Sequence, residues 1–415
     1  MQLFCQSAPV LAGAILLGSV GSARAADWPQ FLGPDRNGTT TNRMLASFPK
    51  EGPARLWRRK VGQGLSGPVI VADKALLFHR VDNEVLLEAF SAKTGEPVWR
   101  CPTPTAYVDD FGFDEGPRAV PAVSDGRVFA FNADGHLIAV SLADGKRLWD
   151  VDTQASYGAD KGFFGAACSP LVEGGLVLLN LGGRNGAGLT AFAAETGKLV
   201  WKLTDDEAGY ASPVPFTQEK ERSVLFFTRA GLKVVDPTAG RLRFGFHWRS
   251  REHASVNAAS PVVAGDEVLL TASYGTGAVL LHLKPDGAEP VWSGDDSLSA
   301  HYATPVKRGE FLYGFHGRQD VGRQSFRCIE WRTGKVRWSA DGIGAGTVIL
   351  AGDRLVLLLE SGELVVAAAE PEAFKPIARA QILGSGTRPP FALADGLLVA
   401  RDKNQLIALD VRVAQ

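Results

Sequence analysis

The sequence predicts an all-β fold, an eight-bladed propeller of four-stranded blades, and three observations predict it. A hairpin ending in an aromatic residue recurs along the chain. A Ser-Pro-like pair opens an apolar strand ahead of each copy. The copies are spaced by about the length of one blade, which for four short strands is about 40 to 50 residues.

The hairpins are clearest in Phe90-Ser-Ala-Lys-Thr-Gly-Glu-Pro-Val-Trp99, Val140-Ser-Leu-Ala-Asp-Gly-Lys-Arg-Leu-Trp149 and Phe192-Ala-Ala-Glu-Thr-Gly-Lys-Leu-Val-Trp201. Thr333-Gly334 leads to Trp338, Asp286-Gly287 to Trp292, and a weaker Ala239-Gly240 to Phe244. Thr-Gly or Asp-Gly supplies the left-handed backbone of a tight hairpin turn between alternating apolar strands. One large ring at the same place in each unit packs against the next unit and buries about 150 to 250 Å². These Trp residues are therefore read as packing groups, not ligands.

The openers are Ser66-Gly67-Pro68, Val120-Pro121, Ser169-Pro170, Ser212-Pro213, Ser260-Pro261 and Thr304-Pro305, with Pro tolerated at the first residue of a strand. With further units opening near Thr347 and Pro389 the count is eight; seven is the alternative, since the seventh unit has neither Ser-Pro nor Trp. The last unit ends without a Trp strand, and Ala54-Arg-Leu-Trp57 is a Trp strand without a unit. The Trp57 strand is expected to complete the C-terminal blade, so that the ring closes without free edges.

Lys plus Arg total 44 against 45 Asp plus Glu, which leaves no positive field for a nucleic-acid backbone or an anionic membrane. The apolar run Ala8 to Val20 followed by Ala23-Arg24-Ala25 reads as an export signal cleaved after Ala25. The expected organisation is residues 1–25 as signal peptide, 26–52 as N-terminal extension and 53–415 as the propeller, in the periplasm or secreted. Cys101, Cys168 and Cys328 would remain, an odd number with no metal-site spacing, and are expected as buried thiols.

The repeated unit, small residue, Asp-like position, Thr-Gly and Trp, resembles the pyrroloquinoline-quinone-type repeat from about Trp57 to Arg412. Asp27-Trp28-Pro29-Gln30-Phe31-Leu32-Gly33-Pro34-Asp35-Arg36-Asn37-Gly38, Leu181 to Gly188 and Ala392 to Gly396 narrow the likeness to exported bacterial quinone-repeat-like proteins, which include an outer-membrane assembly factor. That resemblance implies either a non-enzymatic scaffold or a quinone-dependent alcohol or sugar dehydrogenase. The alcohol dehydrogenases use adjacent cysteines beside the cofactor, and this sequence has no Cys-Cys pair and no Cys-x-x-Cys-His haem site. The expectation is a non-enzymatic binding module in the cell envelope with a protein or peptide partner. No cofactor or metal is expected, pyrroloquinoline quinone with calcium entering only under the dehydrogenase alternative. A glycan-binding propeller is a third reading that the sequence does not separate from the first.

Two neighbouring connections between blades are enlarged. Trp57 to Pro68 spans 11 positions and Trp201 to Pro213 spans 12, but Trp99 to Pro121 spans 22 and Trp149 to Pro170 spans 21. Long loops on a rigid scaffold carry binding sites. The candidate binding face is Tyr107, Asp109, Asp110, Phe111, Phe113, Asp114 and Glu115 in the first loop and Tyr157, Asp160, Lys161, Phe163 and Phe164 in the second. Aromatic anchors beside charges suit a protein partner or a polar small ligand. Arg184 and Arg318 are placed in loops of the same face, together with Arg323. The acids of the first loop lack the alternation of a calcium loop. His247 and His253 stand six apart and do not make a zinc pair, and Leu181 to Gly188 precedes no helix, so it is a turn, not a phosphate cradle.

Overall fold

A computed structural model describes residues 27–412 apart from 42, 43, 45, 46, 254 and 323. The expected signal peptide and Arg323 lie outside the described residues. Among the described residues eight sheets form the ring, each a meander of four antiparallel strands and one of them extended by a fifth, parallel strand, so the propeller has eight blades. Blades 1 to 7 occupy residues 69–104, 122–152, 171–203, 214–247, 262–294, 306–341 and 346–381. Blade 8 joins 392–410 to the strand Ala54–Lys60, which pairs antiparallel with Gln405–Asp410. The first and last parts of the propeller are thus held by one sheet.

The outer edge shows what the recurring Trp does. Trp57 Nε1 donates to Ala92 O at 2.8 Å, Trp99 to Leu142 O at 2.9 Å, Trp149 to Ala194 O at 3.0 Å and Trp201 to Pro237 O at 2.8 Å. Trp292 and Trp338 donate in the same way to Trp331 O and Glu370 O. In each case the acceptor belongs to the turn of the next blade. The turn is wider than a two-residue hairpin: Ser91 N–H donates to Glu96 O, and Gly95 N–H returns to Ser91 O. A four-residue loop of this kind needs one left-handed residue, and Gly95 and Gly145 supply it at φ 70° and 72°. A Cβ on Gly145 would stand 2.5 Å from the Trp99 ring. Glycine is therefore demanded twice, by the backbone angle and by the ring lying on it.

All eight outer strands carry a register shift beside this position, as between Ala89 and Phe90 opposite Trp99 and Pro97. The bulge leaves one residue unpaired and turns it outward. That accounts for exposed Leu56, Val98, Leu148, Val200, Val291 and Ile377, each just before the paired aromatic or Ala378.

Around the axis the openers form a second belt. Val120 N–H donates to Ser169 Oγ, Ser169 N–H to Ser212 Oγ, Ser212 N–H to Ser260 Oγ and Ser260 N–H to Thr304 Oγ1, all within 2.9–3.0 Å. The hydroxyl before each Pro ties a blade to its predecessor.

Residues 28–40 do more than extend the chain. Trp28 bridges Ile70 of blade 1, Pro29 O accepts from Val123 of blade 2, and Thr39–Thr40 adds a parallel strand to blade 7. Between them Arg36, 1% exposed, donates to Pro170 O at 2.8 Å and Ser169 O at 3.1 Å, and burial pushes its pKa down to about 10. The segment crosses one end of the axial channel and closes it.

Candidate functional site

In a four-stranded meander, the connection to the next blade and the one between second and third strands open on the same face. Both enlarged loops lie there, and a pocket of about 400 Å³ opens on the axis among them. Its floor is Trp28, Phe31 and Leu32 from the closing segment. Its mouth is a cluster of Phe111, Phe113, Phe163 and Phe164, with centroids of Phe111 at 6.3, 6.4 and 5.2 Å from the other three. Phe111 is 53% and Phe113 48% exposed, so the rim presents apolar faces to solvent.

Polar groups are set into these walls in pairs. Arg118 lies 3.3 Å from Asp109, Arg388 lies 3.1 Å from Glu360, and Arg318 grips Asp320 with two bonds of 3.0 and 2.7 Å. The Arg318 bonds hold the Asp320 carboxyl below its ordinary value. The guanidinium groups also rest on rings: Arg118 on Phe164, Arg318 on Tyr274 and Arg388 on Phe113. Charge is balanced inside the site, and the arginines are held flat against its walls. Tyr274 Oη lies 2.9 Å from His301 Nε2. Burial, with Arg318 and Arg388 nearby and Asp320 opposing them, pushes the His301 pKa down to about 4. His301 Nδ1, Gln319 Oε1 and Thr347 Oγ1 are buried without a partner. All three residues line the pocket, and unpaired buried polar atoms are costly enough that they mark places for a ligand or ordered water.

The expected face residues divide on inspection. Phe111, Phe113, Phe163, Phe164 and Arg318 line the axial pocket. Asp109 does not face outward: its side chain is fully buried and accepts from the backbone N–H groups of Phe111, Phe113 and Asp114, nucleating the first loop. Asp114 is also buried and accepts from Gly64 and Gly116 N–H. Glu115 lies 3.6 Å from Arg80, and Asp110 pairs with Lys161 at 2.6 Å, tying the two loops together. Arg184 pairs with Asp160 across the second loop. Tyr107 is buried under Arg118 and Lys161. Tyr157 ends the short helix Thr153–Tyr157 and packs edge-on against Phe192. These acids build the loop, and among the described residues no group of three His, Cys, Asp or Glu side chains is placed to hold a metal. The three cysteines are free and buried.

Sequence reasoning missed Arg118, Tyr210, Tyr302 and Arg388. A signal was present. Strand alternation places the residue two before an opener on the same side as the opener, and Arg118, Ala167, Tyr210, Ala258 and Tyr302, each two before Val120, Ser169, Ser212, Ser260 and Thr304, all line the pocket, as does Arg388 ahead of the last blade, one place past the position its expected opener Pro389 indicates. Tyr210 also serves the rim, since its hydroxyl accepts from Phe163 and Phe164 N–H at 2.9 and 3.0 Å.

The eight-bladed ring with Trp-docked turns agrees with the quinone-type repeat that the sequence resembles. The family model for the outer membrane protein assembly factor BamB matches residues 43–159 and 156–340, and the chain belongs to that family. Among solved structures, BamB from Moraxella catarrhalis superposes with a TM-score of 0.62 at 14% identity, covering 88% of this chain and 99% of that one. The quinohemoprotein alcohol dehydrogenase from Comamonas testosteroni reaches 0.68 at 15% identity, covering 95% and 82%. At such identities the likeness concerns fold.

By sequence, the dehydrogenase subunit of an alcohol dehydrogenase (quinone) from Komagataeibacter europaeus is 29% identical over 34% of this chain and 20% of its own length. A polyvinylalcohol dehydrogenase from Pseudomonas sp is 27% identical over 42% of this chain and 36% of its own. The chain thus spans about a fifth to about a third of the length of these relatives. They correct one expectation. That the chain takes no cofactor does not stand when its curated relatives are named for quinone-dependent oxidation, and a quinone must be counted among the ligands to be tested in the axial pocket.

Proposed function

We propose that this chain is a binding propeller of the cell envelope, which receives an apolar side chain of a protein partner in its axial pocket while the partner rests on the phenylalanine rim. The observation that carries this reading is the half-exposed Phe111 and Phe113 standing over an apolar pocket with unpartnered polar atoms at its walls. Aromatic anchors around a desolvated pocket are the composition of interface hot spots. Membership of the assembly-factor family and the expected export signal support a partner in the envelope. No helix among the described residues is long and apolar enough to cross a membrane.

Substituting Phe111, Phe113 and Phe163 by Ala is expected to abolish capture of the partner from envelope extracts while the circular dichroism spectrum is kept. Unchanged capture would overturn the reading.

The names of the curated relatives favour a second reading, a quinone-dependent alcohol dehydrogenase using the same pocket. The flat aromatic walls fit a planar ring system. The anionic groups of pyrroloquinoline quinone would reach Arg118, Arg318 or Arg388 only in competition with Asp109, Asp320 or Glu360. No group of three His, Cys, Asp or Glu side chains stands beside them among the described residues. The arginines that would receive the quinone's anionic groups are thus already paired, which weighs against the second reading. Titrating the protein with pyrroloquinoline quinone, with and without calcium, separates the readings. One-to-one binding with alcohol-dependent dye reduction would establish the second, and its absence at saturation would leave the first.

A further inference from the structure

Beside the axial pocket lies a second cavity of about 1020 Å³, walled by both enlarged loops and by the loops of blades 2 to 4 on the same face. Phe163 and Tyr210 border both spaces. The character of the second differs from that of the first. Three polar atoms with no partner sit in its lining: the Tyr107 hydroxyl, Asn180 Oδ1 and Asp134 Oδ1. Tyr107 is 4% and Asn180 2% exposed, so bulk water does not satisfy them. Each is also fixed in place. Asn180 Nδ2 donates to Phe227 O at 3.3 Å, and Asp134 Oδ2 accepts from Thr105 Oγ1 at 2.7 Å, which leaves the single amide oxygen of Asn180 and the second carboxylate oxygen of Asp134 free.

We propose that this side cavity is a saccharide-binding site, separate from the axial pocket, in which ligand hydroxyls pair with Tyr107, Asn180 and Asp134. Two of the free atoms accept only, and the third is a phenol that donates. A ligand rich in hydroxyl groups, each both donor and acceptor, satisfies all three. A strongly anionic ligand is disfavoured, because Lys161 and Arg229 of the lining are already engaged, by Asp110 at 2.6 Å and by Glu207 at 2.5 Å. The rings of Tyr107, Phe163 and Tyr210 give the C–H faces of a pyranose an apolar surface. The volume stands at the upper end of the roughly 300–1,000 Å³ usual for small-ligand sites, enough for more than one sugar ring.

The test is calorimetric titration and saturation-transfer NMR of the exported protein with cellobiose, maltose and N,N′-diacetylchitobiose. At least one is expected to bind with a stoichiometry of one. Tyr107→Phe removes a hydroxyl that has no protein partner, so it is expected to leave the melting temperature unchanged while weakening that saccharide by about tenfold, the equivalent of about 1.4 kcal/mol for one lost hydrogen bond. Asp134→Asn, which replaces a carboxylate by an amide, is expected to weaken it similarly. No binding of any of the three at millimolar concentration would overturn the proposal, as would binding indifferent to both substitutions.

Discussion

At the outer edge of the ring, blade meets blade by one device, an indole laid on the next turn with its N–H on a carbonyl of that turn. At the axial mouth no such uniformity holds: Arg118, Ala167, Tyr210, Ala258, Tyr302 and Arg388 occupy equivalent places ahead of blades 2 to 6 and blade 8. The same repeat thus carries a uniform edge and a varied centre. Uniformity serves a contact that every blade must make, and variation is tolerated only where side chains converge on something other than one another. The edge itself confirms the rule by its exceptions. Where Phe244 replaces Trp, the next blade turns differently, with Gly287 paired to Lys284 as the first residue of the outer strand and nothing within 4 Å of the place its β-carbon would take, and the seventh blade offers Ala378 in place of a ring.

The largest effect is expected from breaking the edge. Trp99 is 9% exposed and contributes to the core between blades 1 and 2. Trp99→Ala should lower unfolding free energy by about 3–5 kcal/mol, the usual cost of removing a large buried aromatic. Phe244→Ala, at an edge contact without a docked turn, should cost less. Urea denaturation of both variants checks the order, and equal costs would remove the special role assigned to docking.

A sharper comparison uses two glycines with the same backbone angle. Gly145 has φ 72° with the Trp99 ring above it, whereas Gly126 has φ 73° and open space. Alanine at either position carries left-handed strain of about 1–2 kcal/mol. Only Gly145→Ala must also displace the ring, adding about 1–3 kcal/mol of overpacking. A difference in denaturation midpoint between the two variants measures docking with strain cancelled.

What was legible in the sequence follows the same division. Repetition made the edge readable, because Trp and Gly recur at fixed spacing, and it made the blade count and all-β class readable with it. The enlarged loops were readable as departures from that spacing, and Phe111, Phe113, Phe163 and Phe164 do meet at the pocket mouth. The internal wiring of those loops was not. An aspartate in a loop looks alike whether it faces water or, as Asp109 does, accepts three backbone N–H groups. Nor does spacing announce that residues 28–40 fold back to close the channel, since Arg36 finds its partners more than 130 positions away.

Acid should reach the centre before it reaches the edge. Burial, and then Arg327, pushes the His316 pKa down to about 4, close to that of His301. A histidine whose folded pKa lies below its unfolded value near 6.5 binds its proton first in the unfolded chain. Stability therefore falls as pH drops from about 6.5 towards 4 and is insensitive to these groups above that window. His301→Gln, which removes one of the two, should flatten the dependence of melting temperature on pH in this range. An unchanged slope would mean that His301 is charged in the folded protein.

The smallest effect on stability is expected where the effect on binding is proposed to be largest. Phe111 and Phe113 are half exposed, and the backbone of their loop is held by Asp109 beneath them, not by their rings. Replacing both by Ala should change unfolding free energy by no more than about 0.5 kcal/mol, as for other exposed side chains. Asp109→Ala, in contrast, leaves Arg118 without its carboxylate and three N–H groups without an acceptor, and should loosen the loop while keeping every rim ring. If partner capture is lost in both variants, the rim rings must be present and also held in place. If it is lost only when the rings are removed, the rings act without the preorganisation that the buried aspartate provides.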